Sequence, residues 1–198
     1  FESWAEGKTG VPFVDATMRE LRATGYASNR GRQNVASFLA LDLRVDWRRG
    51  ADLFESLLVD YDPCSNWVNW MFMAGLSGGR VNKFNVLKQA RQYDPEGDFV
   101  RTWIPELARV PTERVHTPWL LSAEEARACG ADAYFDNTHD LVTQQLPFYF
   151  GTMSSARKEL VSRLSDLKLK DGTAAAAGEG EAPNDSANAK IAVARNVT

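Results

Sequence analysis

The chain has 198 residues, 44% of them hydrophobic and 11% aromatic, which is enough to build one main core. A formal charge of −3 excludes a protein that holds nucleic acid through overall basicity, so any nucleic-acid site has to be a local patch. Cys64 and Cys129 stand far apart with no CxxC or CxxH spacing, which argues against a disulfide framework or a zinc site and for a reducing compartment.

Helical punctuation starts early. Pro12 stands where a helix can begin, Val14, Met18 and Leu21 recur at helical spacing, and Gly25 ends the segment as a C′ residue. A second segment over about 34–45 carries Val35, Phe38, Leu39 and Leu43, and a third from about Ala51 carries Leu53, Leu57 and Leu58. Asp62 before Pro63 reads as an N-cap with proline at the first helical position. The helix after it presents Trp67, Trp70, Met71 and Ala74 on one face. The glycine-rich stretch 76–82 is a loop, and short helices are expected over 86–93 and 99–107. Ser122 with Glu125 forms a capping-box signature, and 154–169 reads as a charged amphipathic helix. Residues 171–198 contain no aromatic side chain and are expected to be a disordered tail, since they cannot offset ordering entropy by burial. No strand alternation persists, so the fold expected is all-α. It is divided into a core over 1–120, a helical extension over 121–170 and the tail. No apolar run approaches the roughly 20 residues needed to cross a bilayer, and the chain reads as soluble and intracellular, with organelle and nucleus both open. It opens on Phe1 rather than Met and enters a helical pattern at once, so it is expected to be a piece of a longer protein.

From Glu6 to Asp15, and on through Met18, Arg19, Thr24 to Tyr26 and Asn29 to Arg32, the sequence resembles the helical FAD-binding domain of the cryptochrome/photolyase family. The resemblance continues through Ala36 to Leu39, Asp42, Asp46, Trp47, Asp60 to Asp62, Asn66, Trp70, Phe84, Tyr93 to Gly97 and Trp103 to Leu107, a span far longer than a short motif. Within the family, the runs Ser28 to Asn34, Asp60 to Trp70 and Lys83 to Gln89 look like the DASH-type pattern. The resemblance implies a multi-helical FAD-binding domain, here incomplete at its N-terminus. The α/β antenna domain with its folate-type pigment, the FAD-phosphate clamp, the glutamate that protonates the dimer and the outermost tryptophan of the electron chain all match regions before Phe1. Bound alone, FAD is expected to be held weakly or not at all.

The resemblance also implies roles. Asp60, Tyr61 and Asp62 line the flavin, Arg32 pairs with Asp60, and Asn66 faces the flavin nitrogen that gains or loses a proton. Trp70 and then Trp47 carry an electron toward the light-excited flavin. Asn29, Arg30 and Gln33 stand at the mouth of the cavity where a flipped-out pyrimidine dimer is met, and Phe72 supplies a stacking ring. Gln33 fits the DASH type, whereas Met71 and Phe72 depart from the residues common there.

The residues themselves leave plainer readings open. Asp62 can be a helix cap only, and Arg32 with Asp60 a structural salt bridge. Aromatic side chains at helical spacing are usually core, and Trp4, Trp67, Trp103 and Trp119 are read as packing. Without the resemblance Arg30, Arg80 and Lys83 read as solvated surface. His116 and His139 carry no metal-ligand spacing, and no nucleophile–base pair announces itself. The function expected is light-driven repair of cyclobutane pyrimidine dimers, preferentially in single-stranded DNA. The alternatives are a photosensor that signals through a protein partner, motivated by Met71, Phe72 and the tail, and a helical interaction module without flavin.

Overall fold

The computed structural model describes residues 1–78, 81, 83–136 and 138; His139, Arg80, the 154–169 helix, the 171–198 tail and most of the 121–170 extension lie outside them. Every regular element among the described residues is helical, and none of these helices is long and apolar enough to cross a membrane. In chain order they are α1 (Glu2–Ala5), α2 (Pro12–Thr24), α3 (Asn29–Ser37), α4 (Trp47–Leu57), α5 (Pro63–Met73), α6 (Val86–Tyr93), α7 (Asp98–Trp103), α8 (Thr112–Val115), α9 (Ala123–Cys129) and α10 (Asp132–Asp136).

Local chemistry explains where most of them begin. Pro12 opens α2, and Gly25 closes it in the left-handed region at φ 71°, its N–H donating to the Leu21 carbonyl. Ser28, Asp46, Asp62 and Asn85 each accept a backbone N–H at the start of α3, α4, α5 and α6, and Ser122 and Glu125 close a reciprocal capping box on α9. Two starts come earlier than hydrophobic spacing indicates: α3 begins at Asn29 and α4 at Trp47, because Ser28 and Asp46 cap ahead of the first apolar residue. The α3 helix then widens into a π-helical turn, Phe38–Asp42, where the Leu43 N–H donates to the Phe38 carbonyl at 2.9 Å.

Two clusters of buried side chains hold the bundle. The larger joins Trp4, Met18, Leu21, Phe38, Leu39, Phe54 and Trp70 from α1 to α5, with Val86, Leu87 and Ala90 from α6. Each large side chain buried in this way contributes about 1.5–3 kcal/mol. The smaller gathers Val100, Ile104, Leu107, Val115, Ala126 and Tyr134, together with Ala16 from α2.

Polar struts join the same elements. Arg19 donates through Nη1 to both carboxylate oxygens of Glu106 at 3.0 Å. Asp15 is wholly buried and accepts from the Thr9 N–H (2.7 Å), the Thr9 hydroxyl (2.6 Å), the Gly10 N–H (2.9 Å) and the Tyr134 hydroxyl (2.6 Å). Burial raises the Asp15 carboxyl against the pull of these donors, and burial beside Asp15 pushes the Tyr134 phenol well up. His116 is also buried, with Nε2 2.5 Å from the Asp94 carbonyl oxygen, and burial lowers its pKa. The Asp94 carboxylate meanwhile accepts the Phe99 and Val100 N–H groups and so starts α7.

Candidate functional site

A cleft opens between α3, the end of α4 and α5. Its apolar floor is Trp70, 3% exposed, with Phe54, Ala36, Leu58 and Met73, and its rim carries Asn29, Arg32, Gln33, Asp60, Asp62 and Asn66. Seven residues singled out from the sequence therefore meet in one place: Asn29, Arg32, Gln33, Asp60, Asp62, Asn66 and Trp70.

The helices set each side chain. Trp70 is held in the floor by an edge-to-face contact with Phe54 (centroids 5.1 Å) and another with Trp4 (6.0 Å), and its six-membered ring lies against Gly50. A Cβ at Gly50 would stand 2.3 Å from Trp70 Cη2, so only glycine lets α4 and α5 close around this ring. Arg32 is fixed at both ends of its guanidinium. Nε donates to the Ala27 carbonyl at 2.7 Å, and Nη2 donates to both oxygens of Asp60 at 2.9 and 2.8 Å. The pair lies at the rim with Asp60 about half exposed, because the 58–62 connection runs over the surface. Asn66 donates through Nδ2 to the Ala51 carbonyl at 3.0 Å, which leaves its carbonyl oxygen and its second N–H for the cleft. Asp62 caps α5 by accepting the Ser65 N–H at 2.7 Å while also lining the cleft; this capping holds its carboxyl below the usual range. The cap reading and the lining reading are both compatible with its position.

The remaining predicted residues stand elsewhere. Tyr61 is not part of the cleft lining: its hydroxyl donates to Glu55 at 2.7 Å, and this bond raises its pKa. Trp47 packs edge-to-face on Trp67 at 5.8 Å. Phe72 is 46% exposed on α5. Of the tryptophan face expected on α5, only Trp70 is fully buried, and Trp67, Met71 and Ala74 are partly covered. The cationic side chains are not simply solvated. The Arg30 guanidinium lies 5.1 Å from the Tyr93 ring centroid and 5.8 Å from that of Phe84, and Lys83 pairs with buried Asp42 at 2.6 Å. Sequence reasoning missed Gly50 and Glu55, which carry no motif.

The donor set suits a flat heteroaromatic group. An aromatic and aliphatic floor with a few fixed polar atoms at the rim is the usual make-up of a site for such a ring. Among the described residues Gln33 Oε1, on a residue that lines the cleft, and Asn34 Oδ1 are buried acceptors without a protein partner, and such atoms are costly unless a ligand or water supplies a donor. The lining of this cleft fits the flat ring end of FAD. Among the described residues no three of His, Cys, Asp and Glu gather as a metal site.

Known proteins supply the context. The family model described as the FAD binding domain of DNA photolyase matches residues 1–146. The chain is 54% identical over 138 residues to cryptochrome DASH from Synechocystis sp., covering 69% of this chain and 28% of that protein. It is 60% identical over 124 residues to cryptochrome DASH from Xenopus laevis, covering 62% of this chain and 24% of that protein. Its fold matches the archaeal photolyase from Sulfolobus tokodaii, solved with two FAD molecules, at a TM-score of 0.60 and 37% identity over 70% of this chain and 35% of that one. The chain thus spans about a quarter to a third of the length of these relatives. The match of the family model over residues 1–146 and the identity to these DASH relatives make the chain a member of the DNA photolyase/cryptochrome family, in its FAD-binding domain and of the DASH type.

Proposed function

We propose that the protein is a blue-light flavoprotein that uses FAD to split cyclobutane pyrimidine dimers, preferentially in single-stranded DNA. The observation that carries this reading is the shared cleft, in which Trp70 forms the floor and Asn29 and Gln33 stand on the same rim as Arg32, Asp60 and Asn66. FAD, when bound, supplies light absorption and one-electron chemistry. The residues of the chain do the rest. Arg32, anchored by Ala27, holds Asp60 so that a carboxylate and a guanidinium flank the ring system as fixed charges. Asn66 offers either an N–H or a carbonyl oxygen to a ring nitrogen, which suits a group whose protonation changes with redox state. Trp70, in the floor of the cleft, would be the first side chain to give up an electron there, and Trp47 the next donor.

For the substrate, Asn29 and Gln33 meet the edges of extruded bases, and the exposed ring of Phe72 provides a stacking face. Arg30, steadied over Tyr93 and Phe84, offers a positive charge to a phosphate although the chain as a whole is acidic. A single strand needs no base pair opened, so extruding a dimer costs least there. The test is light-dependent loss of thymine dimers from a single-stranded and a duplex oligonucleotide, incubated with the reduced, FAD-loaded, full-length protein. Loss that is faster on the single strand supports the reading. No loss on either form would remove repair and leave photosensing as the use of the same flavin site.

A further inference from the structure

Glu55 does not line the cleft, yet it is bonded to two segments that do. Its Oε2 accepts the Tyr61 hydroxyl at 2.7 Å and the Trp67 Nε1–H at 3.1 Å. Tyr61 belongs to the connection between α4 and α5, and Trp67 follows Asn66 on α5. Asn66 in turn donates to the Ala51 carbonyl at 3.0 Å. Ala51 and Glu55 lie one turn apart on α4, so this helix meets two adjacent residues of α5 with two neighbouring acceptors.

The connection has two sides. Leu58, Asp60 and Asp62 line the cleft, whereas Val59 and Tyr61 do not. That alternation is the period of an extended chain, and the backbone is extended at Leu58 (φ −71°, ψ 125°) and at Asp62 (φ −130°, ψ 124°). Turning such a run about its own axis would carry both carboxylates out of the cleft. The Arg32–Asp60 pair restrains this turn weakly, since an ion pair open to water holds its partners loosely. On the other side the Val59 N–H donates to the Gly25 carbonyl at 2.9 Å, and the Tyr61 hydroxyl to Glu55. Of these two ties, only that of Tyr61 falls between Asp60 and Asp62. It ends on a carboxylate, a stronger acceptor than a neutral oxygen. Trp67, half-buried against the main core, donates to the same oxygen and so keeps the exposed Glu55 side chain from swinging into solvent.

Resting on the flavin-site reading above, we propose that Glu55 is a positioning residue for FAD. By holding Tyr61 on one side of the 58–62 run and Trp67 on α5, it sets Asp60 and Asp62 against Asn66 in the lining of the cleft. Its part is that of an acceptor in a fixed place rather than that of a charge. Glutamine keeps such an acceptor, and alanine removes it.

The test is titration of the flavin-free, full-length protein with FAD, followed by the quenching of flavin fluorescence, in Glu55→Ala, Tyr61→Phe, their combination and Glu55→Gln. E55A and Y61F should each bind FAD about fivefold more weakly, the effect of losing one hydrogen bond. The combined variant should be no weaker than either, because both changes break the same bond, and E55Q should bind as the parent does. A readout without flavin stands beside this one. Hydrogen exchange over 59–65, where the Val59 and Ser65 N–H groups bond to Gly25 and Asp62, should quicken in E55A and Y61F and stay as in the parent in E55Q. Parent-like FAD binding or parent-like exchange in both E55A and Y61F overturns the proposal while leaving the flavin site intact. An E55Q protein as weak as E55A also overturns it, by assigning the effect to charge, as does a combined variant whose losses add. A parent that binds no FAD overturns the flavin reading, and the proposal with it.

Discussion

Replacing Gly50 by alanine should destabilise the protein even though alanine is the better helix former. Within α4 the exchange gains about 1 kcal/mol of intrinsic propensity. Against this, the new Cβ would lie 2.3 Å from Trp70 Cη2, 2.5 Å from Cζ3 and 2.7 Å from Leu39 Cδ2, whereas ordinary contact begins at 3.4 Å. The Trp70 ring would have to retreat by about 1.1 Å, the difference between 3.4 and 2.3 Å. Trp4 and Phe54 press its other faces at 6.0 and 5.1 Å, so the only way out is toward the cleft. Overpacking of this kind costs about 1–3 kcal/mol, occasionally more. The net loss expected is therefore up to about 2 kcal/mol, read as a lower urea midpoint at unchanged slope. The attribution to Trp70 is checked by the double variant: in a Trp70→Phe background the two closest clashing atoms are gone and only the Leu39 contact remains, so Gly50→Ala should cost clearly less than in the parent. A G50A protein as stable as its parent, or a penalty undiminished without Trp70, refutes the packing argument.

Asp15→Asn should cost about 3 kcal/mol or more, since the amide nitrogen would face two of its four donors and charge-assisted hydrogen bonds are worth about 1.5–3 kcal/mol each; chemical denaturation checks it, and a near-neutral result would mean that the site re-forms its network. His116 has a lowered pKa in the folded state because it is buried, so folding favours its neutral form. Its contribution is present above the unfolded value near 6.5 and is lost as pH falls through that value toward the lower folded one, at no more than about 1.4 kcal/mol per pH unit. Stability measured against pH should show this slope in the parent and lose it in His116→Gln. Arg32→Gln should change stability by less than about 1 kcal/mol, because the pair with Asp60 is half exposed. The same change should weaken FAD retention about tenfold, about 1.4 kcal/mol, read from the flavin absorbance that survives dialysis. Unchanged retention would remove Arg32 from the proposed flavin rim.

What the sequence could disclose is what depends on neighbours within a turn or so. Pro12 and Gly25 mark both ends of α2, Asp62 with Pro63 marks the start of α5, and Ser122 with Glu125 makes the capping box, because the groups that bond lie within five residues of one another. Helix starts slipped where a polar cap precedes the first apolar residue, as Ser28 and Asp46 do. The family and its candidate residues were legible for a different reason: they follow from a long resemblance, not from periodicity.

Only the tertiary structure decided which of those residues meet. Asn29, Gln33, Asp60, Asn66 and Trp70 come together because α3 and α5 pack across the cleft, while Tyr61, inside the same short run as Asp60 and Asp62, turns its hydroxyl to Glu55 instead. The bond between Tyr134 and Asp15 joins residues 119 positions apart, and the need for glycine at position 50 exists only once α5 brings the Trp70 ring against it. Such contacts have no local period, since they arise from the shape of the packed helices and from the cost of leaving a buried polar atom or a void unmatched. The sequence by itself therefore determined the longer helices, the ends set by local caps, and the family. The packing determined the cleft, the bond between Trp67 and the Glu55 carboxylate, and the buried carboxylate that ties α10 to the start of α2.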